Sequence, residues 1–148
     1  RIKKMKCKKV LIHDAARPNP PKNLIKNIIN KIKKNDAVIP TIKVDDATKR
    51  AEKNIIFKNI QRKSLRFSQT PQAFTYKKIY EKHKKNINLV FDDDSALFTE
   101  NNEKVVAING SKLNLKITND EDINIFESIK RKKTYYGIGF DIHNRRFL

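Results

Sequence analysis

The sequence predicts an α/β fold built on a parallel sheet. Three features carry this reading: a short apolar run at residues 10–12 (VLI) that ends in a polar, proline-containing loop, a helical stripe of aliphatic residues behind it, and a second apolar run at 36–42 (DAVIPTI). Strand, helix and strand in that order make a crossover unit, which implies parallel strands in one sheet with helices on its faces. Ligands of such sheets gather beyond the carboxyl ends of the strands, so the loops at 13–18 and 43–49 are expected on one rim.

Each element has its own local reason. Pro20 and Pro21 suit a helix start, where the missing N–H is no loss. Leu24, Ile25, Ile28, Ile29 and Ile32 then fall on one helical face, with Lys and Asn opposite. Residues 50–67 are extended and polar, as in a projecting hairpin or arm. Residues 76–85 read as a helix, and 105–108 as a short strand running into Asn109-Gly110, a turn signal. Leu113, Leu115 and Ile117 alternate with polar residues as a strand would. Thr118 with Glu121 three residues on has the form of a capping box, opening a helix whose apolar face is Ile125, Phe126 and Ile129.

The chain has 148 residues, 38% of them hydrophobic, and a formal net charge of +18. That charge raises the question of nucleic acid or an anionic membrane. The lysines, however, are spread through almost every segment among Asn and Ile. They read mainly as solvated surface that also attracts phosphorylated small molecules. A single cysteine excludes an internal disulfide framework and a multi-cysteine zinc site, in keeping with a reducing cytoplasm. No apolar run approaches the roughly 18 residues of a membrane span, and no membrane partner is expected.

Several motifs occur in a definite order: HDAARP at 13–18, DATKR at 46–50, Arg62, QTPQAF at 69–74, and NLKIT at 114–118 ahead of Asp120-Glu121-Asp122. In order and spacing they resemble the 2-C-methyl-D-erythritol 4-phosphate cytidylyltransferases, over about residues 8–129. The resemblance implies a Rossmann-like nucleotidyltransferase sheet, here without its N-terminal part, and a projecting β-arm that helps to form a homodimer. It implies attack by methylerythritol phosphate on the α-phosphate of CTP with release of pyrophosphate. That chemistry must hold two polyanions together and neutralise the charge that builds up, which calls for Mg²⁺ and several Lys or Arg groups.

By the same resemblance, Asp14 holds the metal and the sugar-phosphate hydroxyls, as a hard oxygen ligand at a strand end. Arg17 lies beside the substrate, and Asp46 belongs to the same substrate-binding set. Arg62 and Thr70 bind and orient the methylerythritol phosphate, Arg62 reaching from the arm of one subunit into the site of its partner. Lys116 positions that phosphate; in an otherwise apolar strand its ammonium would need an anionic partner. Arg62 and Lys116 are the expected catalytic groups.

The pattern also departs from the family. Ala47 stands where Thr is common and cannot donate a hydroxyl hydrogen bond; Thr48 beside it would point the other way on a strand. The acidic run FDDDS at 91–95 reads as a solvated helix start rather than a metal site, and His13 and His83 as packing or surface histidines. The family's glycine-rich, triphosphate-cradling segment has no counterpart in residues 1–148, so the chain by itself is not expected to transfer cytidylyl groups.

Residues 137–143 (GIGFDIH) resemble the opening of 2-C-methyl-D-erythritol 2,4-cyclodiphosphate synthase, a lyase that some bacteria fuse behind the cytidylyltransferase. Asp141 and His143 match two ligands of its divalent metal, commonly Zn²⁺; two apart on a strand, they face the same side. The organisation implied is a cytidylyltransferase domain at 1–129, a linker at 130–134 and a truncated synthase domain at 135–148, with a higher oligomer possible for the full synthase. Two other readings stay open: a basic nucleic-acid-binding module, for which no recognised motif is present, and an inactive dimerising remnant.

Overall fold

The computed structural model describes residues 6–130. β1 (Lys9–Ile12), α1 (Lys22–Ile32) and β2 (Ala37–Lys43) reproduce the strand–helix–strand unit. There follow β3 (Thr48–Glu52), β4 (Ile55–Ile60), β5 (Arg66–Ser68), β6 (Gln72–Thr75), α2 (Tyr76–Lys85), α3 (Ala96–Thr99), β7 (Val106–Asn109) and α4 (Asp120–Lys130). Among the described residues no helix is long and apolar enough to cross a membrane.

The sheet is mixed rather than parallel throughout. Its order is β1-β6-β2-β5, with β7 paired to β2. β6 lies between β1 and β2 and runs antiparallel to both, whereas β7 runs parallel to β2. An apolar run reports burial but not its neighbour. β6 takes the inner place because Gln72, Ala73 and Phe74 are buried on both faces. The three strands β1, β2 and β7 still point the same way, so their carboxyl ends share one rim, as expected.

Alternation along the strands divides the core in two. On one face Val38 and Ala73 pack with Leu24, Ile28 and Ile32 of α1. On the other, Ala37 and Phe74 pack with Ile79 of α2 and with Leu97 and Phe98 of α3. The buried stripe of α1 is narrower than the aliphatic face in the sequence: Ile29 is exposed. One turn of spacing between Leu24, Ile28 and Ile32 is all the sheet covers.

β5 and β6 run as one interrupted line against β2. Thr41 pairs with Ser68 and Val38 with Ala73, so Ile39 and Pro40 face four residues, 69–72. The surplus backbone forms a bulge, which includes the cis peptide Thr70-Pro71. The arm forms a separate two-stranded sheet of β3 and β4, beginning at Thr48, slightly before the expected residue 50. Its turn places Lys53 and Asn54 at φ 45° and 68°, matching the twist a two-residue hairpin requires. Ile55, Ile56 and Phe57 on β4 are exposed.

Two local expectations are corrected. Residues 111–118 form no strand. Asn114 is buried and its N–H turns back to the Ser111 carbonyl at 3.0 Å, while the Ile117 N–H donates to the Ala16 carbonyl at 2.8 Å. These backbone groups are used up in a turn and a loop contact, so no ladder can form. The capping box lies one residue later than read: the Asp122 N–H donates to Asn119 Oδ1 at 2.9 Å and the Asn119 N–H to Asp122 Oδ2 at 3.1 Å. Thr118 donates to the same Asp122 oxygen through its hydroxyl, and these bonds hold the Asp122 carboxyl below its usual range.

Candidate active site on the carboxyl rim

Four chain segments meet on the rim: the loops after β1, β2 and β7, and the 69–72 bulge. Gln69 fastens the bulge to the loop after β7. Its side chain is buried; Oε1 accepts the Ser111 N–H at 3.0 Å, and Nε2 donates to the Ser111 carbonyl at 2.9 Å. The side-chain amide thus pairs with Ser111 as a strand peptide would. This contact dictates the neighbouring glycine, because a Cβ on Gly110 would stand 2.4 Å from Gln69 Oε1 and 3.1 Å from the Thr41 carbonyl. Gly110→Ala is therefore expected to destabilise the domain by about 1–3 kcal/mol, as overpacking does. A thermal midpoint equal to that of the parent chain would show the Gln69 contact to be wrong.

Asn114 is the second fastening point. Its Nδ2 donates to the Thr70 carbonyl at 2.7 Å, and its own carbonyl accepts from Arg17 Nη1 at 2.7 Å. Held in this way, the Arg17 side chain is only 10% exposed, with Nε 3.5 Å from Asp14 Oδ2. Lys116 Nζ stands 3.5 Å from the same oxygen, its side chain half exposed. A single carboxylate therefore sits between two cations from distant stretches of chain. Among the described residues, Arg17 Nε and Asn114 Oδ1 are buried without a hydrogen-bond partner, and such groups are few in native structures.

Thr70 completes the cluster. Its Oγ1 accepts the Asp14 N–H at 3.0 Å and lies 3.0 Å from His13 Nδ1, while His13 Nε2 lies 2.9 Å from the Arg17 carbonyl. A carbonyl can only accept, so a neutral His13 carries its hydrogen on Nε2 and takes the Thr70 hydroxyl hydrogen at Nδ1. Thr70 then offers the cavity a lone pair more readily than a donor. His13, although exposed, ties the two loops together.

Asp14, Arg17, Thr70 and Lys116 line one open cavity of about 600 Å³, a size that suits a small phosphorylated ligand. Asp46 lines an adjoining groove that shares Arg17 and Lys116. Arg62 lies outside both, at the foot of the arm, where its guanidinium donates to the Asp45 carbonyl. Lys112 holds the Asp45 carboxylate at 2.5 Å and keeps its pKa below the usual range. Lys116 is thus in a loop, not the strand expected for it, and its anionic neighbour is Asp14.

The acidic run is also different from its expected form. Asp92 is exposed and Asp94 meets His83 at 2.8 Å, but Asp93 turns inward. Its Oδ1 accepts from Ser95 Oγ at 2.6 Å and the Ala96 N–H at 3.1 Å; its Oδ2 accepts from Ser68 Oγ at 2.7 Å and Gln72 Nε2 at 2.9 Å. Burial pushes its pKa up, but the bonds from Ser95, Ser68, Gln72 and Ala96 outweigh it and the net direction is down. A depressed carboxyl contributes stability that is complete above the unfolded value, about pH 4, and is lost as pH falls through the folded value. Asp93→Asn should thus flatten the acid limb of stability against pH below about pH 4, measured by urea unfolding; an unchanged limb would rule out Asp93 as its source.

Among the described residues no three His, Cys, Asp or Glu side chains form a metal-holding group. The one carboxylate at Asp14 fits Mg²⁺, which is commonly held by one or two carboxylates with substrate phosphates and water. Asp141 and His143, read as divalent-metal ligands, lie outside the described residues. Gln69, Gln72, Asn114, His13 and Asp93 were not singled out as site residues from sequence. All five lie inside the quoted motifs, but the contacts that give them their roles are made largely with distant segments, which no local signal reports.

A mixed α/β sheet with a cation-flanked carboxylate on its carboxyl rim and a hairpin standing off from it is a Rossmann-like nucleotidyltransferase domain. The structure of 2-C-methyl-D-erythritol 4-phosphate cytidylyltransferase from Thermus thermophilus superposes with a TM-score of 0.77 at 26% identity, over 84% of this chain and 62% of that one. The sequence model of the 2-C-methyl-D-erythritol 4-phosphate cytidylyltransferase family, IspD, matches residues 2–132, and the chain belongs to that family. A bifunctional IspD/IspF enzyme of Pelagibacter ubique is 42% identical over 142 residues, 96% of this chain but 36% of the relative. The cytidylyltransferase of Shouchella clausii is 33% identical over 84% of this chain and 55% of its own length. The chain thus spans about a third of the bifunctional relative and about half of the single-function one.

Proposed function

We propose that this chain forms the sugar-phosphate side of an enzyme that transfers a cytidylyl group from CTP to 2-C-methyl-D-erythritol 4-phosphate, releasing pyrophosphate. The observation that carries this is the Asp14 carboxylate held 3.5 Å from both Arg17 and Lys116 on the rim. Lys116, half exposed, swings its ammonium from Asp14 to the incoming phosphate, and Arg17 holds the Asp14 carboxylate in place. Asp46 in the shared groove, with Thr70 and its lone pair, receives substrate hydroxyls. Asp14 would hold Mg²⁺, which supplies neutralisation of the charge that develops on the phosphates. In-line attack by a phosphate oxygen on the α-phosphorus of CTP then needs little beyond positioning and charge.

Arg62 cannot be assigned to the cavity of its own chain from its place at the foot of the arm. Its support as a phosphate ligand comes from an arm whose exposed Ile55, Ile56 and Phe57 suit burial against a second copy. In that homodimer Arg62 would serve the partner's cavity. The groups that cradle the CTP triphosphate belong, on this reading, outside residues 1–148, and the enzyme works in the cytoplasm. The fused synthase is supported by the Pelagibacter ubique match, which covers 96% of the chain and so reaches past residue 132. Asp141 and His143 would there contribute to a Zn²⁺ or similar site.

The test uses the full-length gene product. Pyrophosphate release from CTP should require methylerythritol phosphate and fall on Arg62→Ala as on Lys116→Ala. Release that is indifferent to methylerythritol phosphate would sink the reading. Mixing Arg62→Ala with an Asp14→Asn variant should restore part of the activity, through a dimer with one intact site; no restoration would remove Arg62 from the partner's cavity.

A further inference from the structure

We propose that Asp93 is a positioning residue for the substrate cavity, acting through the bulge that carries Thr70. Its functional consequence rests on the cytidylyltransferase reading; its structural part does not. The bulge is a place where position must be imposed, because residues 69–72 oppose only Ile39 and Pro40 of β2: Gln69 bonds the Pro40 carbonyl and Gln72 pairs with Ile12 of β1, but Thr70 and Pro71 between them have no place in the ladder. Gln69 and Asn114 hold it from the side of the β7 loop. Asp93, on the segment leading into α3, holds it at both ends: Ser68 immediately precedes the bulge and Gln72 closes it, and both donate to Asp93 Oδ2.

The network is closed as well as convergent. Gln72 is 1% exposed, its Nε2 also donates to Ser68 Oγ at 3.0 Å, and its Oε1 accepts the Ser95 N–H at 3.2 Å. With Ser95 Oγ and the Ala96 N–H on Oδ1, both carboxylate oxygens already accept two bonds each. Asp93 lines the same cavity as Asp14 and Lys116, yet its acceptor capacity is taken up by protein donors. It therefore orients other groups and does not itself ligate metal or substrate. Only a carboxylate meets donors on both oxygens; an amide would turn an N–H₂ against either the Ser68–Gln72 pair or the Ser95–Ala96 pair.

Amide hydrogen exchange on the present chain tests the clamp. The Gln69 N–H, bonded to the Pro40 carbonyl at 2.9 Å, reports the bulge, and the buried Val38 amide reports global opening. Asp93→Asn should speed exchange at Gln69 by about tenfold more than at Val38, the scale of one lost charge-assisted hydrogen bond. Ser68→Ala should act in the same direction more weakly, while Ser95→Ala, which leaves the bulge side intact, should not separate the two amides. Equal acceleration at Gln69 and Val38 in both Asp93→Asn and Ser68→Ala would overturn the proposal.

In the full-length gene product, Asp93→Asn should raise KM for methylerythritol phosphate by about tenfold with KM for CTP changed by less than about twofold. A parallel rise in both constants would also count against the proposal. An unmodified protein that never uses methylerythritol phosphate would instead defeat the cytidylyltransferase reading, and the exchange result would still decide the clamp.

Discussion

Replacing Lys116 by alanine is expected to lower pyrophosphate formation in the full-length gene product by about a hundredfold or more, the usual cost of losing one charge-stabilising group in an active site. The fold should not notice. Lys116 is half exposed, its contact with Asp14 is 3.5 Å long, and exposed pairs of that kind contribute about 0–1 kcal/mol. Asp14 also keeps its second cation, Arg17, whose side chain is fixed by the Asn114 carbonyl. Activity and stability should therefore separate cleanly: a large kinetic loss with a urea midpoint close to that of the parent. Lys116→Arg keeps the charge but not the compact shape, and should recover part of the loss. Pyrophosphate formation within about twofold of normal in Lys116→Ala would take Lys116 out of the phosphate grip.

Phe74→Ala should be the most damaging single change to the fold. Phe74 is fully buried and stacks on Phe98 with ring centroids 5.4 Å apart, and Ala37, Ile79 and Leu97 complete its surroundings. Truncating a buried phenylalanine costs about 3–5 kcal/mol, from lost transfer energy and the cavity left behind. Domains of this size have about 5–15 kcal/mol to lose, so a sizeable unfolded fraction is expected at modest urea concentration. Leu113, which is exposed, provides the contrast: Leu113→Ala should stay within about 0.5 kcal/mol. Equal midpoints for the two variants would show that the face covered by α2 and α3 is not a packed core.

Some of the molecule was legible before any coordinates. Helical spacing at Leu24, Ile28 and Ile32 located α1 because a stripe of that period marks a helix face turned to the core. The turn at Asn109-Gly110 and the apolar runs at β1 and β2 were local signals of the same sort. HDAARP, QTPQAF and NLKIT named the polar groups gathered around Asp14, since Asp14, Arg17, Thr70 and Lys116 lie inside those motifs. Other features depended on partners far along the chain. β6 inserts itself between β1 and β2, and nothing in either run reports this. The alternation of Leu113, Leu115 and Ile117 mimicked a strand, but Asn114 was drawn inward by Thr70 and Arg17 and the backbone followed.

What the sequence determined by itself, then, was β1, α1, β2, the arm, α2, β7 and α4, and the charge types assigned to the rim, because period, turn chemistry and charge are properties of neighbouring residues. Tertiary structure alone decided the mixed sheet, the meeting of Arg17 and Lys116 at one oxygen of Asp14, and the inward turn of Asp93. Each of those depends on hydrogen-bond partners brought together from distant parts of the chain, and a donor or acceptor in a sequence carries no mark of which partner it will find.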